Sequence, residues 1–402
     1  MRASKLFAAA ALLALLPVAG SAQEKAAEAK VTVTPYGFVL LNAYLNQGHP
    51  TTRDYPAAAT ADDYDSFLMS ARQSRFGVRL AVDDKNWTGA ALAGVIEFDF
   101  QAGQLAGTAV NAAVPSTGWY NGLMRLRLAS ATATWKTGPG SFSVLAGQDY
   151  GLVNPLFAES LAWVASPLFW QAGNLWRRSP QIRAAYGGKV GDIGLLVQAA
   201  ILSPADASTG APYAIDFGAG NASGIPDFEG RLALNAKFGD IGGTLGVGYH
   251  MESRTYGLGT PTETDETTSL IGVDLDVAVT KFLQVKGEWY TGSGSEDTYN
   301  SGFAAVYTGG ELVDHTGYWA QAIVKPSPIV NLTLGYGAGS VDEDVVTGAG
   351  ARQENTQLAF GVIFNAGKYW RFGGEFIQVN TTDGAGTEND VSQIALSSQF
   401  RF

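Results

Sequence analysis

Six arginines stand on one parity of alternating segments, and their type and placement suggest anion recognition. Arg75 and Arg79 share one segment, Arg125 and Arg127 another, and Arg183 and Arg231 lie on two more. A guanidinium is a planar fork that bonds both oxygens of a carboxylate or phosphate. Glu97 and Asp99 stand on the same parity of the intervening segment, with Asp274, Asp276, Glu288 and Glu375 farther along. Two uses compete for these charges. They can pair internally and fill a polar interior, or the arginines gathered on one wall can form a track for a passing anion, as charged rings do in pores.

Other chemistry is thinly represented. The three histidines, His49, His250 and His315, are far apart in sequence, and there is no cysteine. None of the H-E-x-x-H, G-x-S-x-G or G-x-x-x-x-G-K patterns occurs. His250, two residues from Glu252, is the one candidate general base, and no nucleophile is recognisable near it. The acidic runs Asp62-Asp63-Tyr64-Asp65, Glu263 to Glu266 and Asp342-Glu343-Asp344 match no EF-hand spacing and read as solvated charge. No catalytic residue, metal site or cofactor is expected. The formal net charge of −11 argues against nucleic acid as a partner.

The elements that carry these residues alternate with a period of two, which is the mark of strands. From Ala91 to Phe100, residues Leu92, Gly94, Ile96, Phe98 and Phe100 share one parity, opposite Glu97 and Asp99. From Ile271 to Val279 the odd positions are aliphatic and oppose Asp274 and Asp276. Glycine is 50 of 402 residues, poor material for helices and suited to curved sheet.

Connection lengths then narrow the architecture. Short turns recur at Asp83-Asp84-Lys85-Asn86, Thr137-Gly138-Pro139-Gly140, Val190-Gly191-Asp192, Gly239-Asp240, Thr280-Lys281, Pro326-Ser327-Pro328 and Asn365-Ala366-Gly367. Between them lie long polar loops near 46–69, 101–121, 150–180, 203–227, 254–265, 292–314, 341–352 and 380–389. Seven short turns alternating with eight long loops predict sixteen antiparallel strands closed into a transmembrane β-barrel, an all-β fold with both termini on the short-turn side. Aromatics at strand ends support a membrane setting. Phe142, Tyr186, Phe238, Phe364, Trp370 and Phe402 fall near short turns, and Phe98, Phe100, Tyr249, Trp289 and Tyr336 near long loops.

The loop from Gly151 to Pro180 stands apart. It is about thirty residues long, beyond ordinary connections, and Leu156, Phe157, Leu161, Trp163, Val164, Leu168, Phe169, Trp170, Leu175 and Trp176 all favour burial. It is expected to fold into the lumen and narrow it, with Phe157, Glu159, Trp163, Trp170, Arg177 and Arg178 at the constriction. Contact with a neighbouring subunit is the other reading.

At the N-terminus, Arg2 and Lys5 precede an uncharged apolar run from Leu6 to Leu16, then Pro17 and Gly20-Ser21-Ala22, the grammar of a secretory signal peptide. The expected division is 1–22 signal peptide, 23–30 a short periplasmic segment and 31–402 the barrel. Loss of Arg2 and Lys5 would move the formal charge from −11 to −13.

Several short motifs give a more specific likeness. Thr34-Pro35-Tyr36-Gly37-Phe38, Arg72-Gln73-Ser74-Arg75-Phe76-Gly77-Val78-Arg79, Glu97-Phe98-Asp99-Phe100 and Arg125-Leu126-Arg127 with Leu145-Ala146-Gly147-Gln148 together resemble trimeric outer-membrane porins of the DcaP-like kind. The likeness covers the first five strands in motif and the remainder in architecture. It implies a homotrimer of sixteen-stranded channels passing small and often anionic organic solutes; the Gram-negative outer-membrane setting makes lipid and lipopolysaccharide the other expected partners, the latter bridged to the acidic outer loops by divalent ions. Such proteins can carry an N-terminal coiled coil, for which this chain offers only Gln23 to Lys30. An adhesin or anchor acting through its loops is the rival function, and a barrel hydrolase a more remote one.

Overall fold

A computed structural model describes residues 30–83, 89–102, 122–204, 218–299, 302–303, 307–308 and 310–402. The expected signal peptide, residues 23–29, most of the loop near 101–121 and the Asp84-Lys85-Asn86 turn residues lie outside these.

Sixteen antiparallel strands form one closed sheet. In chain order they are β1 (Lys30–Gln47), β2 in two pieces (Ser66–Ser70 and Arg75–Asp83), β3 (Ala91–Asp99), β4 (Arg125–Thr137), β5 (Gly140–Tyr150) and β6 (Arg178–Val190). They continue with β7 (Ile193–Leu202), β8 (Asp227–Phe238), β9 (Ile241–Tyr256), β10 (Thr264–Ala278) and β11 (Leu283–Ser293). The last five are β12 (Asp314–Ser327), β13 (Val330–Val341), β14 (Arg352–Ala366), β15 (Trp370–Asp383) and β16 (Glu388–Arg401). Each strand pairs with its chain neighbour, and β1 closes the ring against β16 from Phe38↔Arg401 to Gln47↔Ser392. Closure matters because it leaves no edge strand, so every backbone polar group of the wall can be paired inside a bilayer.

Alternation fixes the two faces. On β14, Leu358, Phe360, Val362 and Phe364 are exposed on the outside, while Asn355, Gln357, Ala359 and Ile363 are buried inside. A slip of one residue would exchange the faces. The outward face stays apolar and uncovered by protein, with Val39, Leu334 and Leu396 at 56 %, 56 % and 63 % exposure. Apolar area costs about 25 cal/mol per Å² in water, and lipid removes that cost. Among the described residues no helix is long and apolar enough to cross a membrane. Phe142, Tyr186, Phe238, Phe364, Trp370 and Phe402 are exposed on the outside near the short turns, and Tyr249, Trp289 and Tyr336 toward the loops. Phe98 and Phe100 are instead half-buried by Phe76, with ring centroids 5.6 and 6.1 Å away.

Strands run past the expected loop boundaries because antiparallel pairing continues beyond the membrane. The loop after β1 was expected to reach residue 69, yet Ser66–Ser70 already pairs with Asn42 to Asn46. Residues 71–74 then interrupt the ladder before Arg75 resumes it. The fourth long loop holds a short helix, α1 (Ala219–Ser223), which alternation could not announce.

The topology predicts which segments a membrane-impermeant label reaches on sealed cells. Cysteines placed at Thr262 and Ala385, exposed in long loops, should react, and those at Lys281 and Gly367, exposed in short turns, should not. Reaction at Lys281 would invert the barrel. Ser295, although in a long loop, is fully buried and is no probe of topology.

Candidate functional site: a loop held across the lumen

Loop 3, residues 151–177, touches strands on every side of the ring, so it must cross the interior. The contacts follow one pattern, in which an inward carboxylate or carboxamide captures loop backbone. Leu152 N donates to Glu229 on β8 at 2.5 Å, and Leu156 N to Glu288 on β11 at 2.6 Å. Glu159 and Gln321 on β12 exchange two bonds of 2.7 and 2.9 Å. Glu375 on β15 accepts from Leu161 N, Ala162 N and the Ser160 hydroxyl at 2.7, 2.8 and 2.6 Å. Gln73, in the break of β2, accepts from Val164 N and Ala165 N at 2.8 and 3.0 Å. Gln357 on β14 takes Phe169 N at 2.9 Å. A buried N–H left unpaired costs about 1–3 kcal/mol, so these captures fix the loop's course.

Apolar packing adds a second hold. Leu168, Phe169, Ala162 and Trp163 form one buried cluster with Tyr44, Trp319, Ala359, Ile377, Val379, Val391 and Ala395, the inner faces of β1, β12 and β14 to β16. Phe169 stacks on Trp319 with centroids 5.9 Å apart. The fit leaves no spare room. Gly173, at φ 95°, would put a Cβ 2.0 Å from the Tyr318 carbonyl oxygen, and a Cβ on Gly337 would lie 2.1 Å from the Ala172 oxygen. Among the described residues the non-glycines at positive φ are Asn154, Phe169 and Gln171, at 51°, 67° and 66°, and all lie on this loop. Such conformations cost about 1–3 kcal/mol each and persist only where the surroundings over-determine them.

With loop 3 packed toward β12–β1, its remaining face looks at β2 to β6. A cavity of about 220 Å³ lies between them, lined by Arg75, Arg127, Tyr150 and Phe38 on the wall and by Phe157, Trp163, Pro167 and Trp176 on the loop. It is here that the loop meets the arginine wall, where a constriction was expected from sequence. Toward the short turns a second space of about 470 Å³ is lined by Thr34, Arg79, Ser130, Thr132 and Asp149.

The expected arginines are all placed, but in three different situations. Arg125 grips Asp99 with two bonds of 2.9 and 2.7 Å, and Arg127 bridges Glu97 at 2.8 Å and Asp99 at 2.7 Å. Arg231 is closed on Asp274 at 3.1 and 2.6 Å. Arg75 lies 3.6 Å from Glu97, already engaged by Arg127, and donates to the Val164 carbonyl at 2.5 Å. Arg79 lies over the Tyr36 ring at 3.7 Å, and Arg183 bonds Gln181 at 3.0 and 2.9 Å and the Tyr150 carbonyl. Neither Arg79 nor Arg183 has an ion pair among the described residues.

The loop residues also separate. Phe157 and Trp163 line that cavity, and Trp163 is pinned by Gln393 at 3.1 Å. Trp170 packs with Tyr55 and Trp176, at centroid distances of 5.6 and 6.3 Å, and is not itself among the residues lining that cavity. Glu159 pairs with Arg371 at 2.7 Å and accepts from Asn331 at 2.9 Å. Two expectations need correction. Arg178 is the first residue of β6 and lies over the Tyr150 and Trp176 rings at 5.7 and 5.0 Å. Arg177 is buried at the loop root against Asp227 at 2.9 Å, where it cannot face a solute. Glu288 and Glu375, read from sequence as counter-charges, hold loop 3 instead.

Comparison with solved structures fits this geometry. The outer membrane channel DcaP of Acinetobacter baumannii is similar at a TM-score of 0.72 and 18 % identity, over 92 % of this chain and 97 % of that one. The fold is that of an outer-membrane porin. An anion-selective porin from Comamonas acidovorans matches at TM-score 0.56 and 13 % identity, over 93 % of this chain and 100 % of that one. The trimer form of OmpT of Vibrio cholerae matches at 0.53 and 13 % identity, over 92 % and 99 %. No family model and no curated protein sequence matches the chain. The expected likeness to DcaP-like channels thus holds at the level of the fold.

Proposed function

We propose that this chain is a Gram-negative outer-membrane porin, assembled as a homotrimer, whose channels pass small polar solutes by diffusion with a mild preference for anions such as small organic carboxylates. The observation that carries the preference is a charge surplus. Arg75, Arg79, Arg125, Arg127 and Arg183 on the inward face of β2 to β6, with Arg178 over the Tyr150 ring at the start of β6, outnumber the three carboxylates beside them, Glu97, Asp99 and Asp149. Low-dielectric walls focus this excess into the constriction. The negative charge of the outer loops is screened beyond about 8 Å at physiological salt, so the local surplus outweighs the net charge of the chain.

The anion-selective Comamonas porin and the OmpT trimer support the two finer parts of the reading by likeness of fold. Liposomes loaded with an osmolyte and reconstituted with the protein should swell in isotonic small sugars or carboxylates. A loop-borne adhesin with a sealed barrel would give no swelling. The same preparation, unboiled, should run near three times the monomer mass of 42.2 kDa less its signal peptide. A strictly monomeric band in mild detergent would contradict the trimer.

A further inference from the structure

Where β8 meets β9 at the root of loop 3, strand register gathers groups that sequence spacing does not connect. Glu229 and His250 are cross-strand partners, and Asp227 and Glu252 follow two residues along each strand on the same face. A His250 ring nitrogen, an Asp227 oxygen and a Glu252 oxygen lie within 4.8 Å of one another, all three residues buried.

These side chains are only half used. Asp227 gives one oxygen to Arg177 at 2.9 Å, and Glu252 gives one to Arg254 at 3.0 Å and Thr298 at 2.8 Å. Asp227 Oδ1, Glu252 Oε1 and both ring nitrogens of His250 make no hydrogen bond, although His250 is 0 % exposed. His250 Nε2 stands 3.9 Å from Glu252 Oε2, and Nδ1 stands 3.5 Å from Glu229 Oε1. Glu229 is itself fixed by Tyr299 and Leu152 N at 2.6 and 2.5 Å. A small rotation that closes the 3.5 Å gap from Nδ1 would make Glu229 the outer carboxylate that orients a metal-ligating imidazole.

The charge balance points the same way. With His250 neutral, as a metal ligand must be, Asp227, Glu229, Glu252 and Asp297 outnumber Arg177 and Arg254 by two charges; without an ion, a protonated His250 between Glu229 and Glu252 offsets one of them. Glu296, in the adjoining loop, adds none at neutral pH, because burial pushes its carboxyl up to about 9. Unpaired buried charge is costly, and one divalent ion removes the deficit.

We propose that Asp227, His250 and Glu252 form a binding site for one divalent transition-metal ion of the zinc class. One imidazole nitrogen with two carboxylates suits zinc, cobalt or nickel better than calcium or magnesium, which take oxygen donors. Bonds of about 2.0–2.2 Å draw the three donors closer together, which side-chain rotation can supply. The ion clamps β8 to β9 and, through Glu229 and Arg177, steadies the root of loop 3. The proposal does not depend on what the channel passes.

The test uses the full trimer in detergent, stripped with chelator and then freed of it. Titration with Zn2+ by calorimetry, with bound metal counted by mass spectrometry, should give one saturable ion per chain and a rise in the unfolding temperature. Both should be lost in His250→Asn and in Glu252→Gln. They should survive in His49→Asn, which removes the outer-loop imidazole 3.3 Å from Asp62. Co2+ added to the unmutated protein should develop visible absorption that Zn2+ abolishes, a readout independent of whether the variants fold. No saturable binding to the unmutated protein, or binding that persists without His250, would overturn the site.

Discussion

Replacing loop 3 by a tight turn should raise single-channel conductance several-fold and largely abolish ion selectivity, while the barrel still folds. The replacement is geometrically simple, because Tyr150 and Arg178 are cross-strand partners and a short Gly-rich turn can join them. The loop's apolar cluster and its six polar anchors occupy the lumen between β12–β1 and the arginine wall. Without it, water enters the inside of a sixteen-stranded barrel. The wall charges that held it, Glu229, Glu288 and Glu375, become solvated, so their loss of partners is largely offset. Strand pairing around the ring is untouched. Conductance within measurement error of the parent protein would show that loop 3 does not set the bore.

Converting Arg75 and Arg178 together to serine should move the reversal potential in a salt gradient clearly toward cations. Arg75 lines the cavity between wall and loop 3, Arg178 lies over two of its lining rings, Tyr150 and Trp176, and both are spared the closed carboxylate pairs that occupy Arg125 and Arg231. A unit charge acts on an ion 4 Å away with about 1 kcal/mol even in bulk water. Two such charges change the local anion-to-cation ratio severalfold, more where low-dielectric walls confine the field. Arg231→Ser serves as the control. It removes one formal charge, half of what the double variant removes, from a pair with Asp274 away from loop 3's arginine wall and should leave selectivity near that of the parent. A control shift about half that of the double variant, in proportion to the charge removed, would mean that net charge, not placement at the constriction, governs the channel.

Much of the fold is written in local sequence. Period-two alternation, such as Leu358, Phe360, Val362 and Phe364 against Asn355, Gln357 and Ile363, sets both faces of a strand, and turn length sets which end it meets. That is why the strand number and the inward loop were legible. Partner choice was not. Gln73, Gln321, Gln357 and Gln393 sit on inward parity like any lumen residue, and nothing in their spacing announces that they capture loop 3. Glu288 and Glu375 look like counter-charges until the loop's course is known. Arg177 and Arg178 are neighbours in sequence, yet one is sealed against Asp227 while the other begins a strand beside the constriction. The boundary between loop and ladder decides that, and alternation alone places it only within a few residues. The Asp227–His250–Glu252 group was hidden for the same reason, since the register of β8 on β9 brings it together.

The most direct test of the account is the zero-current potential of the unmutated channel in a planar bilayer under a tenfold KCl gradient. A surplus of arginine at a constriction set by loop 3 predicts discrete conductance steps and a potential whose sign reports mild preference for chloride. A channel clearly selective for potassium, or a reconstituted trimer that passes no current, would contradict it.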